Sequence, residues 1–444
     1  MPIVHRRLPL VLAPVVAAVA FATAALGTGL PLAPWGAAPS PGAVASIASV
    51  APSPAQTAAS RSEPPPARPT GAPTTPSILD RARIAPRLQA ALDAGRTDLA
   101  APGIVASVLF PDGWLWTGVS GVADLASGRE LTPETPFPIA SVSKTFLAAE
   151  ILLLVDEGRL SLADAVARLL PSTLVGGAAI DPRITVRMLL DHTSGLRDFL
   201  TNPKLDRAVR ADPRAAWTPE QALAYAGRPV APPGEGYRYA NTNYVLLGLI
   251  AERLTGHTLA EEYRARFFEP LGLSSASYQG VEPPAAQLPT AYRYSSLRLG
   301  APPQDVTDGS EIRPFTSITT AAGAAGSVAA SARDLARWAR ALYGGYVLPP
   351  DLVDLMVGDA AITETLDPPY PYGLGVQVLT IDGRVTYGHS GRLAGARTVV
   401  RWFPEEQIAI AIATNQSRFD PTSLLIDLLV IAAPRQLGEG WRGS

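Results

Sequence analysis

Apolar residues recur at helical spacing over 79–95, 142–157, 163–170, 184–191, 243–254 and 331–343, and a last helix is predicted over 421–433. Strand-like runs lie at 103–110, 114–120, 373–380, 384–388, 396–403 and 406–414, with turn residues between them. Strands therefore cluster at both ends of this part of the chain, and helices fill its middle. The economical architecture is one sheet built from both ends, with a largely helical region inserted. No internal repeat is visible.

The first 76 residues follow a different pattern. His5, Arg6 and Arg7 precede an uncharged, apolar stretch from Leu8 to Leu26, the layout of a secretory signal and close to the length that spans a bilayer. Residues 1–32 are expected to be a signal peptide or an N-terminal membrane anchor. Small residues at Ala22-Thr23-Ala24 and at Ala43-Val44-Ala45 both fit a cleavage site. Either form sends the rest of the chain out of the cytoplasm, secreted or anchored. Residues 33–76 are Pro/Ala-rich, with Arg61, Glu63 and Arg68 as their charges, a composition that buries too little surface to order itself. They read as a disordered linker, leaving one globular domain over 77–444.

Composition narrows the chemistry. Net charge is -2, which argues against nucleic acid as a partner, and there is no cysteine, so thiolate nucleophiles and thiolate metal sites are excluded. The four histidines lie far apart and no His-Glu-x-x-His occurs, so no metal or cofactor is expected. Of 37 basic residues, Lys144 and Lys204 alone are lysine. A position that keeps lysine in an arginine-rich chain invites the question of whether the proton must leave.

Lys144 stands in Ser141-Val142-Ser143-Lys144, at the start of a predicted helix that Gly158 is placed to stop. Ser141 then lies at or next to a helix N-terminus, where free N–H groups favour developing negative charge. Lys144 is one turn on, on the same face. A serine hydroxyl needs a base, and a buried lysine can serve where arginine stays charged. In Tyr239-Ala240-Asn241, before the next helix, Tyr239 and Asn241 are two apart in an extended lead-in and point the same way. A phenol can pass a proton and an amide can hold a carbonyl. In Gly388-His389-Ser390-Gly391, small residues on a strand leave room for a substrate backbone. Each motif also has a plain structural explanation: a helix cap with a solvated lysine, an Asn-capped helix start, a buried strand histidine.

In order and spacing the three motifs resemble the penicillin-recognising serine hydrolases, above all class C β-lactamases and D-alanyl-D-alanine carboxypeptidases with related esterases. LLDHTSGL at 189–196, PLGL at 270–273 and the run 321–342 look like the same family. The resemblance implies an α+β fold of the β-lactamase/transpeptidase type, an antiparallel sheet flanked by helices with an inserted helical subdomain. It implies that Ser141 forms an acyl-enzyme, that Lys144 and Tyr239 share the proton transfers, and that Ser141 and Arg392 supply backbone N–H groups to an oxyanion hole. Asn241, His389, Ser390 and Gly391 would bind substrate. His389 stands where many β-lactamases carry lysine, and an imidazole near its ordinary pKa gives only part of a positive charge there. The expected substrate is a cell-wall D-Ala-D-Ala peptide or a β-lactam, with a small ester as the alternative; the protein is expected to act as a monomer, and a non-catalytic binding protein is the remaining reading. A Ser-His-Asp triad finds no Gly-x-Ser-x-Gly elbow here. His192 is expected in the last turn of a helix ended by Gly195, without chemistry.

Overall fold

A computed structural model of the chain describes residues 78–171, 175, 180–294, 301–358, 360–363 and 369–434. The expected signal or anchor over 1–32 and the linker over 33–76 lie outside the described residues. Helix α1 (Ile78–Asp98) leads into strands β1 (Gly103–Leu109) and β2 (Leu115–Gly121). The helical region holds α2 (Ser143–Asp156), α3 (Asn241–Thr255), α4 (Ala332–Tyr343) and shorter helical segments. Strands β3 (Ala361–Ile362), β4 (Pro371–Tyr372), β5 (Gln377–Ile381), β6 (Arg384–Leu393), β7 (Ala396–Phe403) and β8 (Ile408–Thr414) follow, and α5 (Thr422–Ala432) comes last.

The layering can be read from β8, IAIAIAT. Its side chains alternate across the sheet. Ile408, Ile410 and Ile412 enter the apolar layer with Leu88 and Leu92 of α1 and Leu425, Leu428 and Leu429 of α5. Ala409, Ala411 and Ala413 enter the opposite layer with α2, α3 and α4. The small alanines let α4 pack closely on β8 and β1. The sheet has eight antiparallel strands in the order β2-β1-β8-β7-β6-β5-β4-β3. β8 thus joins the early and late strands, with Ile104 opposite Thr414 on one side and Val399 opposite Ile412 on the other.

Helix α2 is apolar nearly all round and buried from Ser143 to Leu152, as a helix at the centre of a domain must be. After its C-cap at Glu157 the chain needs a left-handed residue, and Gly158 takes it at φ 69°. Of the strand expected over 373–380, only 377–380 is strand, within β5, and 373–376 links it to β4. The one expected over 384–388 runs on to Leu393 and carries His389, Ser390 and Gly391 inside it. No helix among the described residues is long and apolar enough to cross a membrane.

Candidate active site

Ser141 lies in a 3-10 turn, Ala140–Val142, just ahead of α2. Ala140 is held at φ 48°, a left-handed conformation that costs an L-residue roughly 1–2 kcal/mol. The surroundings hold the turn in place. The Ile139 N–H donates to Val328 O (3.0 Å), and the Val328 N–H donates to Ser143 Oγ (3.1 Å). From the other side comes Gly391 of β6. A Cβ there would stand 2.0 Å from Ile139 O, so strand and turn meet only because residue 391 has none. Ser141 and Arg392 each lie one residue beyond this contact region.

Lys144 is fully buried. Its Nζ is 3.2 Å from Ser141 Oγ, 2.7 Å from Asn241 Oδ1 and 2.8 Å from Ala325 O. Burial pulls the ammonium down to about 7, with the Asp198 carboxylate acting in the opposite direction. In the neutral amine the two carbonyl oxygens take both N–H groups, and the lone pair is left for the Ser141 hydroxyl. The Tyr239 hydroxyl donates to Ser141 Oγ (2.9 Å). Burial pushes the Tyr239 phenol up, so it stays protonated at neutral pH. The rings of Tyr239 and Tyr244 flank Nζ at 5.0 and 5.3 Å. Asn241 is the first residue of α3 rather than its cap, and its side chain is turned inward.

Along β6 the structure corrects the expected charge of His389. The ring is buried, and desolvation, helped by Lys144, draws it down to about 3, so it is neutral. Its Nδ1 donates to Ser390 O (2.7 Å), and its Nε2 accepts from the Tyr372 hydroxyl (3.0 Å). His389 therefore brings no cation to a substrate. The Ser390 N–H donates to Gln377 Oε1 (3.1 Å), which also accepts from Ser390 Oγ (3.3 Å) and from the buried Arg401 (2.6 Å). That N–H points away from β7, so the Arg392 N–H two residues on points the same way. Pairing of β5 with β6 stops at Gly388. Among the described residues no strand pairs with the edge beyond it, and the Arg392 N–H faces that edge.

Sequence reasoning missed two residues. The helix over Val186–Leu190 ends before His192, which sits outside it at φ 61°. It is fully buried, its ring 4.3 Å from that of Tyr239. The His192 carbonyl accepts from Arg238 N–H (2.8 Å) and its Nδ1 from Ala240 N–H (3.2 Å), which shapes the lead-in that aims Tyr239. Asp198 accepts from Asn241 Nδ2 (2.9 Å), Asn241 N–H (3.3 Å) and Leu200 N–H (3.0 Å). Both belong to the stretch that begins with LLDHTSGL, where the segment itself was the signal. Among the described residues no group of three or more His, Asp or Glu is arranged to hold a metal.

Several known proteins are similar to this chain. Penicillin-binding protein 4 of Amycolatopsis lactamdurans is 32% identical over 336 residues, 74% of this chain and 84% of that protein. Esterase EstB of Burkholderia gladioli is 33% identical over 48% of this chain, and D-aminopeptidase of Brucella anthropi 30% identical over 70%. The chain spans a little over half the length of those two, 56% and 55%. The solved D-stereospecific amidohydrolase from Streptomyces sp. superposes with a TM-score of 0.66 at 29% identity, covering 77% of this chain and 97% of that one. The Beta-lactamase family model matches residues 88–432, a span that takes in the turn at Ser141, the lead-in to α3 and all of β6, and the chain is a serine hydrolase belonging to that family.

Proposed function

We propose that the protein hydrolyses amide or ester bonds of small molecules and short peptides through an acyl-enzyme on Ser141. The observation that carries this reading is the position of Lys144 Nζ, within hydrogen-bonding distance of Ser141 Oγ and of two carbonyl oxygens, so that the neutral amine can give its hydrogens to the carbonyls and its lone pair to Ser141. Lys144 takes the Ser141 proton as Oγ attacks the substrate carbonyl. The developing oxyanion is received by the N–H groups of Ser141 and Arg392, one such donor being worth on the order of 3 kcal/mol. Tyr239 gives its proton to the departing nitrogen or oxygen and regains one from Lys144, and Asn241 orients the acyl part. Water, deprotonated by the same amine, then attacks the acyl carbon and returns Ser141.

The favoured substrates are peptides or amides of D-residues. Similarity to proteins named penicillin-binding protein, D-aminopeptidase and D-stereospecific amidohydrolase supports this. Neutral His389 favours a leaving group without a carboxylate, which keeps a small-ester activity as the second reading. The domain is proposed to work outside the cytoplasm, behind the signal or anchor and linker of residues 1–76. The test is intact-mass spectrometry after mixing with a penicillin, a D-amino-acid amide and a short-chain nitrophenyl ester. A mass increase mapping to Ser141, absent in Ser141→Ala, is expected for at least one of them. Turnover that survives Ser141→Ala would overturn the mechanism.

A further inference from the structure

Asn241 joins Lys144 to Asp198 through the two ends of one amide. Its Oδ1 faces Lys144 Nζ at 2.7 Å and its Nδ2 faces Asp198 Oδ2 at 2.9 Å. Burial raises the Asp198 carboxyl, while the N–H groups of Leu200 and Asn241, the Asn241 amide and nearby Lys144 favour its ionised form. Ionised, it only accepts hydrogen bonds, and the end of the amide facing it is then the NH2. The other Asp198 oxygen is fixed by the backbone N–H groups of Leu200 and Asn241. The carboxylate therefore cannot turn away without losing both.

This matters only when Lys144 is neutral, which is the form that acts as a base. An ammonium prefers an amide oxygen whatever lies behind it. A neutral amine can instead accept from an amide NH2 through its lone pair. If Asn241 flipped, its Nδ2 would take the lone pair that Ser141 needs, and the site would hold a deprotonated lysine with no base function. With Asp198 in place, the flip would set Asn241 Oδ1 against a carboxylate oxygen with no proton between them.

We propose that Asp198 is a positioning residue that fixes the polarity of the Asn241 amide and so keeps the Lys144 lone pair for Ser141. The inference rests on Lys144 acting as the base, as set out above. The groups facing Lys144 are Tyr239 and Tyr244 at α3 and its lead-in, His192 in the 191–195 turn, His389 on β6, and Asp198. Burial holds the two phenols protonated and the two imidazoles neutral. Asp198 is then the counter-charge to Lys144 among the described residues, and it draws the lysine's proton affinity upward.

The test is Asp198→Asn. The replacement is nearly isosteric, and its amide oxygen can keep the two backbone N–H donors. Its NH2 then faces Asn241 and pairs with Oδ1, which locks the flipped state. Acylation kcat/KM is expected to fall roughly 10- to 100-fold. The acid limb of its pH profile is expected to move down by roughly one unit, because a counter-charge is lost and the neutral amine gains a donor. Plain loosening of the site would admit water and move that limb up toward the ordinary lysine value. An upward shift, or an unchanged limb with unchanged kcat/KM, overturns the proposal. Asp198→Glu, which keeps the acceptor, should hold the limb within a few tenths of wild type even at reduced rate, and this reading stands in if Asp198→Asn melts more than 10 °C early. Failure of the underlying reading shows separately, as wild-type protein whose Ser141 is never acylated.

Discussion

Two buried titratable groups on one helix have opposite effects. Lys144, drawn down to about 7, can shed its proton at neutral pH. Acylation should therefore rise with pH through an apparent pKa near 7 and stay level above it, since Tyr239 remains protonated well past that point. A plateau beginning below pH 5 would remove Lys144 as the base. Lys144→Arg keeps the charge and loses the lone pair, and should lower kcat/KM by roughly 10³-fold, within the usual range for a general base. Two turns on, Glu150 is fully buried with both carboxylate oxygens lacking a hydrogen bond, and the Arg266 guanidinium 3.5 Å away offsets only part of the cost. Burial raises this carboxyl to about 7. Its folded pKa lies above the unfolded value near 4.3, so it costs nothing below that value. The cost grows as pH climbs from there to about 7 and is constant above, on the order of 3 kcal/mol. Glu150→Gln should melt with wild type at pH 4.5 and several degrees above it at pH 8. Equal melting temperatures at both pH values would show that Glu150 is not titrating as described.

At the scale of elements, the contact between β6 and the Ala140 turn governs the site. Gly391→Ala would drive a methyl group into Ile139 O and push the strand away from Ser141. A displacement of about 1 Å between an oxyanion donor and its nucleophile is worth roughly 100-fold in rate. The variant should acylate that much more slowly while melting within several degrees of wild type; normal acylation would mean that the strand is free to shift. This contact also shows what the sequence discloses. The glycine was legible as room for an approaching backbone, and the backbone that approaches it is the protein's own turn at Ile139. Helix α2, α4 and the strands at 103–109, 396–403 and 408–414 were legible because their apolar patterns run without interruption. The extension of β6 past residue 388 was not, because Gly-His-Ser-Gly breaks the alternation that marks a strand. The charge of His389 and the place of His192 were hidden for a related reason. Both depend on what the fold packs around them, and neither burial by tyrosines distant in sequence nor a left-handed backbone leaves a periodic trace. Asp198 carried a charge that looked like any surface carboxylate.

For the molecule as a whole, the sheet closes through β8. Residues 103–121 and 361–403 contribute strands to a common sheet only through the pairs β1 with β8 and β7 with β8. Truncation after residue 404 should therefore remove the cooperative melt altogether rather than lower it by a few degrees, and should expose apolar surface to a fluorescent dye. A truncated chain with a sharp thermal transition would contradict this account. Long-range pairing of this kind also makes for slow folding, because the loops between the partner strands must close before the contacts form.

The central place of β8 also sets a schedule. Ile408 is made 267 residues after Ser141 (408 − 141). Until that strand inserts, β6 and its neighbours are not joined to β1, and the enclosure that draws Lys144 down is incomplete. On the proposed mechanism Ser141 then lacks its base in the nascent chain, and reactivity arrives as a late event in assembly.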